Sequence, residues 1–309
     1  MKLVIGTRGS QLALWQAEYV SDLLQQAGVE TLIKIIDTKG DQILNRPLSE
    51  IGSKGLFTEE LELELKEGTI DLAVHSAKDM PSSLPEELEL IAFSVREKIN
   101  DVVLSLDKTF TLEKAVQEKW LVGTSSTRRR ATLYHYYPGI ELVDMRGNLQ
   151  TRLQKLKDGT CRAMLLAYAG VHRMNMEEYI VQELPVEQFT PAVGQGCLAI
   201  ETAKSLSEDK KTLIKKVLNH AETESCMLAE RAFLKTMEGG CSVPVFAIAR
   251  LENKSITLKG GVISLDGQQC IREEIKGNVE DALQLGESLA QKVIALGGQE
   301  ILKAIKKGK

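Results

Sequence analysis

The run Ile70-Asp71-Leu72-Ala73-Val74-His75-Ser76-Ala77-Lys78-Asp79-Met80-Pro81 decides how the rest of the chain is read. Ile70 to Val74 is a short apolar stretch, the length of one buried strand. Lys78 and Asp79 follow together, and Pro81 blocks a helix through that point. In an open α/β sheet, ligands sit beyond the carboxyl ends of the strands. An anion and a cation thus leave a strand end side by side, where a substrate is expected. The competing reading is a surface turn with two solvated charges, a common arrangement. His75 lies within the apolar strand and reads as a structural histidine.

Outward from this strand, one unit recurs: strand, polar loop, helix. Lys2 to Gly6 reads as a strand, Thr7 to Ser10 as a loop, and Leu12, Trp15, Tyr19, Leu23 and Leu24 as one face of a helix ending near Gly28. Ser10 is the expected N-cap, which places Arg8 at a strand-to-helix turn where free N–H groups attract anions. Leu32 to Ile36 is a strand, and a helix opens at Thr58 and stops at Gly68. Between them lies a long polar and Gly-rich stretch with Asp41, Lys54 and Phe57; loops of that length are often functional. A second α/β pattern starts at Val102. Trp120 to Val122 forms a strand, Arg128 starts the next helix, and Ala163 to Ala167 forms another strand. Pro191 to Gly196 reads as a crossing segment. After Cys241, three strand-like runs and then two helices suggest a small α+β domain.

The chain has 309 residues, 43% of them apolar and 27% charged, with a net charge of -4. That length suits two or three domains. The acidic balance argues against a general nucleic-acid binder, and a salt-dependent binding test would decide that rival. No run approaches a membrane span, and Leu3-Val4-Ile5 opens the chain without a signal-like segment, so a cytoplasmic protein with no membrane partner is expected. Five cysteines and four histidines show no paired spacing. Neither a disulfide frame nor a metal site is predicted.

The segment Gly123-Thr124-Ser125-Ser126-Thr127-Arg128-Arg129-Arg130 is the strongest chemical signal. Hydroxyls and N–H groups at a helix start form an anion site, and Arg128 and Arg129 are suited to bidentate carboxylate binding. Arg146 and Arg173 follow just beyond strand ends, with Arg152 nearby; Arg8, Lys54 and Lys78 add cations from the first half. Many cations around one cleft in an acidic protein imply a polyanionic small ligand. Cys241 follows two glycines and is either an attachment point or, like most free cysteines, a buried small residue.

Several segments together resemble the porphobilinogen deaminase (hydroxymethylbilane synthase) family. They are Thr7-Arg8-Gly9-Ser10 with Leu12-Ala13-Leu14-Trp15, Lys39-Gly40-Asp41, Lys54-Gly55-Leu56-Phe57, Val74 to Pro81, Gly123 to Arg129, Arg146-Gly147-Asn148, Thr151-Arg152-Leu153, Pro191 to Gly196, and Glu230-Arg231 through Gly239-Gly240-Cys241. They occur in family order over essentially the whole chain. The resemblance implies an α/β fold: two lobes like those of type II periplasmic binding proteins and a small C-terminal α+β domain. Residues 1–96 with 193–218 would form the first domain, 97–192 the second and 219–309 the third. It implies a dipyrromethane cofactor joined by a thioether to Cys241, porphobilinogen as the small-molecule substrate, and a monomer. On that primer four porphobilinogen units are joined head to tail, ammonia is released at each step, and 1-hydroxymethylbilane is the product. By the same match Asp79 is the catalytic carboxylate. Asp41, Ser76, Lys78, Thr124, Ser125, Ser126, Arg128, Arg129, Arg146, Gly147 and Arg173 would hold cofactor or substrate groups. Arg8, Ser10, Arg152 and Gln195 would line the substrate side, while Lys54 and Phe57 belong to a lid. Glu50, Ser53, Glu59, Asn100 and Asn175 depart from the family pattern. A non-catalytic solute-binding protein with the same two-lobed cleft is the rival reading.

Overall fold

The computed structural model describes residues 1–38, 58–240 and 243–307. In chain order the first lobe contains β1 (Lys2–Thr7), α1 (Gln11–Gln26), β2 (Glu30–Ile35), α2 (Glu59–Glu67), β3 (Leu72–Ser76) and β4 (Leu88–Phe93). The second contains β5 (Asp101–Ser105), α3 (Leu112–Gln117), β6 (Leu121–Gly123), α4 (Thr127–Tyr136), β7 (Glu141–Val143), α5 (Leu149–Lys157), β8 (Ala163–Ala167), α6 (Tyr168–Arg173) and β9 (Ile180–Glu183). The chain then returns to the first lobe through β10 (Leu198–Ala203) and α7 (Glu208–Leu218).

Both lobes use one strand order. The first sheet runs β2-β1-β3-β10-β4 and the second β7-β6-β8-β5-β9. In each, three parallel strands are followed by a strand that arrives from the other lobe and pairs antiparallel with its neighbour. This is the two-lobed α/β fold expected from the sequence. Side chains from alternate positions fill the layers: Leu3, Ile5, Leu72, Val74 and Ile200 pack under α1 and α7, and Val103, Val122, Leu133 and Leu165 pack in the second lobe. Strands buried on both faces account for the continuous apolar runs.

Two crossing segments join the lobes and run side by side. Glu97 N donates to Gly196 O at 3.0 Å and Ser94 N to Leu198 O at 3.2 Å. Arg96 Nε donates to Gln195 O at 2.9 Å, and Gln195 Nε2 to Ile99 O at 2.7 Å. The remaining unit holds α8 (Ala221–Thr236), β11 (Val245–Glu252), β12 (Ser255–Ile263), β13 (Cys270–Asn278), α9 (Ala282–Val293) and α10 (Gln299–Lys307). Its three strands form an antiparallel sheet in chain order, covered by α8 and α9. Its core, including Phe233, Leu258 and Leu289, continues without a break into Ala77, Met80, Phe93 and Val193.

Candidate active site

Strand β3 ends at Ser76, and a single 3-10 turn (Ala77–Asp79) carries the next three residues. Ala77 and Met80 face inward, 2% and 3% exposed, while Asp79 between them is exposed. The turn is pinned from below: Ala77 N donates to Cys197 O at 3.0 Å. Its apolar residues are thus anchors and its carboxylate is presented to the cleft. Asp79 shares a recess with Arg8, Ser10, Gln16, Thr58, His75 and Ser76. Ser10 is the N-cap of α1, accepting from Ala13 N at 3.3 Å, and Gln16 Nε2 donates to Ser76 Oγ at 2.8 Å.

The opposite wall comes from the second lobe. Ser126 caps α4 by accepting from Arg129 N at 3.4 Å, and Thr124 Oγ1 accepts from Ser126 N at 3.3 Å. Asn148 caps α5, accepting from Thr151 N at 2.8 Å. Gly147 has φ 110°, and a Cβ there would meet Thr151 at 2.7 Å, so glycine alone fits beside that cap. Arg152 Nε donates to Gly147 O at 2.8 Å, which turns the guanidinium back toward the cleft. The walls act on each other electrostatically. Burial pushes the Lys78 ammonium down, Asp79 opposes this, and Arg129 and Arg152 reinforce it. Burial likewise brings Arg152 down to about 10, with Arg129 and Arg146 adding to the shift and Asp79 opposing it. Asp79 and Lys78 of one lobe therefore share a field with the arginines of the other.

The structure alters the reading of four predicted residues. Arg128 and Arg129 are only 5% and 6% exposed, and the carboxylate they hold is the chain's own Asp101. Their Nη2 atoms donate to the two oxygens of Asp101 at 2.7 and 2.8 Å. Burial alone would raise the Asp101 carboxyl, but the two guanidiniums hold it far below the usual carboxylate range. Gln195 is buried in the crossing segment and donates to Asp101 Oδ1 at 3.0 Å. Arg173 donates to Gly196 O at 2.9 Å and lies over the Trp15 ring at 5.4 Å, spanning the lobes. Asp41, Lys54, Phe57 and Cys241, with Glu50 and Ser53, lie outside the described residues.

Sequence reasoning missed Asp101, and gave Glu230 no role beyond its place in a family segment. Glu230 is fully buried on α8 and accepts from Arg96 Nη2 at 3.0 Å, Gly194 N at 2.9 Å and Ala249 N at 2.8 Å. A signal existed: it interrupts the helical apolar stripe of Met227, Phe233 and Leu234. Of the described cysteines, burial pushes Cys161 and Cys226 up to about 11 and Cys197 to about 12, which leaves them inert thiols. Among the described residues no cluster has the makings of a metal site, and no helix is long and apolar enough to cross a membrane.

Residues 3–213 match the family model described as porphobilinogen deaminase, dipyromethane cofactor binding domain, and residues 224–295 match the porphobilinogen deaminase C-terminal domain. The chain belongs to the porphobilinogen deaminase family. It is similar to the porphobilinogen deaminase of Cytophaga hutchinsonii, 54% identical over 98% of this chain and 97% of that one. That of Desulfosudis oleivorans is 50% identical over 99% of both chains. Among solved structures, the Bordetella pertussis BvgS VFT2 domain aligns with 70% of this chain and 86% of that one, at 14% identity and a TM-score of 0.44.

A dipyrromethane cofactor goes with this family, and the cleft can be tested for its fit. Four buried side-chain atoms on the second-lobe wall have no hydrogen-bond partner among the described residues: Ser125 Oγ, Arg128 Nε, Arg129 Nε and Arg146 Nη1. All four can donate, so what they lack is an acceptor. Leaving such groups unpaired costs about 1–3 kcal/mol each, more when charged. A cofactor bearing acetate and propionate groups supplies the missing acceptors, so the residues present fit it.

Proposed function

We infer that the chain joins four porphobilinogen units head to tail in this cleft, releasing ammonia at each addition and 1-hydroxymethylbilane at the end. It is a deaminating transferase of tetrapyrrole biosynthesis. The reading rests on one observation above all: Asp79 stands exposed just beyond β3, in a recess with Arg8, Ser10 and Ser76, while second-lobe donors lack acceptors among the described residues. When bound through Cys241, the dipyrromethane supplies the pyrrole carbon to which the first unit is joined.

Asp79 is the catalytic carboxylate in this proposal. Loss of ammonia from porphobilinogen leaves a cation delocalised over the methylene and the pyrrole, and Asp79 offsets that charge. A unit charge pair at 4 Å is worth about 1 kcal/mol in water and about 4 kcal/mol at an effective dielectric near 20, so a partly dry cleft matters. Arg146 and Ser125 bind carboxylates with the donors that lack acceptors. Arg128 and Arg129 offer their Nε–H groups, because Asp101 accepts from both Nη2 atoms while the Thr190 and Leu165 carbonyls accept from the Nη1 atoms. Arg8 and Ser10 receive the carboxylates of the incoming unit at the start of α1, with Ser76, Lys78 and Arg152 beside them. Thr124, Ser126, Gly147, Gln195 and Arg173 shape and brace the walls. Asp41, Lys54 and Phe57 complete the site from the stretch before α2. Residues 1–96 with 193–218, 97–192 and 219–309 are the three domains of a cytoplasmic monomer.

The test is product analysis on the purified holoprotein. Porphobilinogen is expected to yield ammonia and linear tetrapyrrole at four to one, and Arg146→Leu to slow elongation at least tenfold. Binding of porphobilinogen without any ammonia release would establish the solute-binding rival instead.

A further inference from the structure

Two crossing segments join the lobes, and such a hinge leaves one lobe free to turn against the other until a further contact stops it. The lobes meet at a second place, where α1 of the first packs against α6 of the second. A Cβ on Gly170 of α6 would stand 3.9 Å from Leu12 and 3.4 Å from Leu149, so leucines from opposite lobes close over its bare backbone. The next turn of α1 brings the Trp15 ring to 5.4 Å from the Arg173 guanidinium carbon. Trp15 is backed in turn by Tyr19, stacked at 5.5 Å with 5° between the ring planes.

On its other side Arg173 is tied to the hinge. Its Nη2 donates to Gly196 O at 2.9 Å, the same oxygen that accepts from Glu97 N of the other crossing segment at 3.0 Å. Burial pushes the guanidinium down and Glu97 opposes this, so the cation faces the indole partly stripped of water. A ring face holds a desolvated cation more strongly than an exposed one. The stack of Arg173, Trp15 and Tyr19 thus runs from the hinge into α1.

The cleft lies between the parts this stack joins. Arg8 and Ser10 stand at the start of α1, and Leu12 lines the recess with Asp79. Leu149 follows the Asn148 cap, next to Arg146 and Gly147 of the second-lobe wall. A ligand that reaches both walls binds only when they stand at the right separation. We propose that Trp15 is a positioning residue for the reaction: with Arg173 it latches α1 to α6, and the latch sets the distance between the Asp79 recess and the second-lobe wall. Its effect on turnover rests on the function proposed above, and its geometry does not.

A latch of this kind acts on a population. Loosening it lowers the fraction of molecules with both walls in reach of one ligand, and apparent affinity falls by that fraction while the chemistry of the closed form is unchanged. In the loaded holoprotein, Trp15→Leu should raise KM for porphobilinogen about tenfold, with kcat within about twofold of wild type. X-ray scattering in solution should give this variant a larger radius of gyration than wild type. Trp15→Phe keeps an aromatic face for Arg173 and should restore both values. Gly170 supplies a second variant that leaves α1 intact. Gly170→Ala fits the space and should be neutral, whereas Gly170→Leu should wedge Leu12 away and copy Trp15→Leu. Wild-type KM and radius of gyration in both Trp15→Leu and Gly170→Leu would overturn the latch. So would a fall in kcat at unchanged KM, which marks damage to α1 rather than a shifted closure. A wild-type protein that consumes no porphobilinogen would overturn the proposed function, and the scattering comparison would still decide the latch.

Discussion

Asp101 carries more of the site's arrangement than its place in the sequence suggests. It stands one residue before an apolar strand, where an acid reads as a solvated strand end. Yet it is fully buried and divides its two oxygens between Arg128 and Arg129. Without it, two guanidiniums would be buried together unpaired. Asp101→Asn should therefore destabilise the fold by about 3–5 kcal/mol, read by urea unfolding at neutral pH. The pH dependence has a definite sign. The folded-state pKa lies below the ordinary aspartate value near 3.9, so the contribution is complete above that value and is lost as pH falls through the folded one. The gap in unfolding free energy between wild type and Asp101→Asn should be constant from pH 5 to 7 and narrow below about pH 4; a gap that widened in acid would contradict the pairing. Cys241→Ser, in contrast, should fold and show no thioether adduct by intact mass. The place of Asp79 just beyond a strand end was legible in the sequence, because a charged pair before proline follows an apolar run. The roles of Arg128, Arg129 and Gln195 were not, since their partner lies 27, 28 and 94 residues away.

At the scale of elements, helices with caps and apolar stripes were readable. The helix with Leu12, Trp15 and Tyr19 on one face runs Gln11–Gln26, and the helix bounded by Thr58 and Gly68 runs Glu59–Glu67. Strands β9 and β10 were not. Glu201 and Thr202 break the apolar run Leu198-Ala199-Ile200, and only the neighbouring strand, with His75 facing Glu201, makes those polar residues tolerable there. Asn175 has φ 52°; asparagine is one of the few residues that visit that region readily. Asn175→Val should cost about 1–3 kcal/mol, checked by thermal unfolding, while Asn175→Gly should be near neutral. Gly194 makes the sharper test. Its φ is 76°, and a Cβ there would lie 2.8 Å from the Ala77 carbonyl carbon and 2.9 Å from Lys78 N. Those are backbone atoms of the turn that presents Asp79. Gly194→Ala should therefore lower kcat at least tenfold while the protein still melts cooperatively; wild-type kinetics would show that the turn is not held from this side.

For the molecule as a whole, the C-terminal unit is part of the floor of the active site. Its core runs into Ala77 and Met80 on either side of Lys78 and Asp79, and Arg231 Nη2 donates to Pro81 O at 2.9 Å. It also reaches the second lobe, where Arg272 Nη2 donates to Gln188 O at 2.9 Å and His135 Nδ1 lies 2.7 Å from Gly267 O. Glu230 ties the crossing segments to β11, so Glu230→Ala should cost about 3–5 kcal/mol and split a single calorimetric transition into two. A single unshifted transition would show that Arg96 and Gly194 do without it. The three-part architecture was visible in the sequence as two α/β patterns followed by strands and helices. The pairing of residues near 96 with residues near 196 was not, because nothing local encodes a contact a hundred residues apart. The central claim is that Asp79, set among cations at a strand end, drives addition of pyrrole units to a tethered primer. Intact mass spectrometry of Asp79→Ala supplied with porphobilinogen tests it most directly. The account predicts a protein that carries the dipyrromethane adduct but gains no further pyrrole units while wild type gains them in steps; a variant that extends its adduct at the wild-type rate would contradict it.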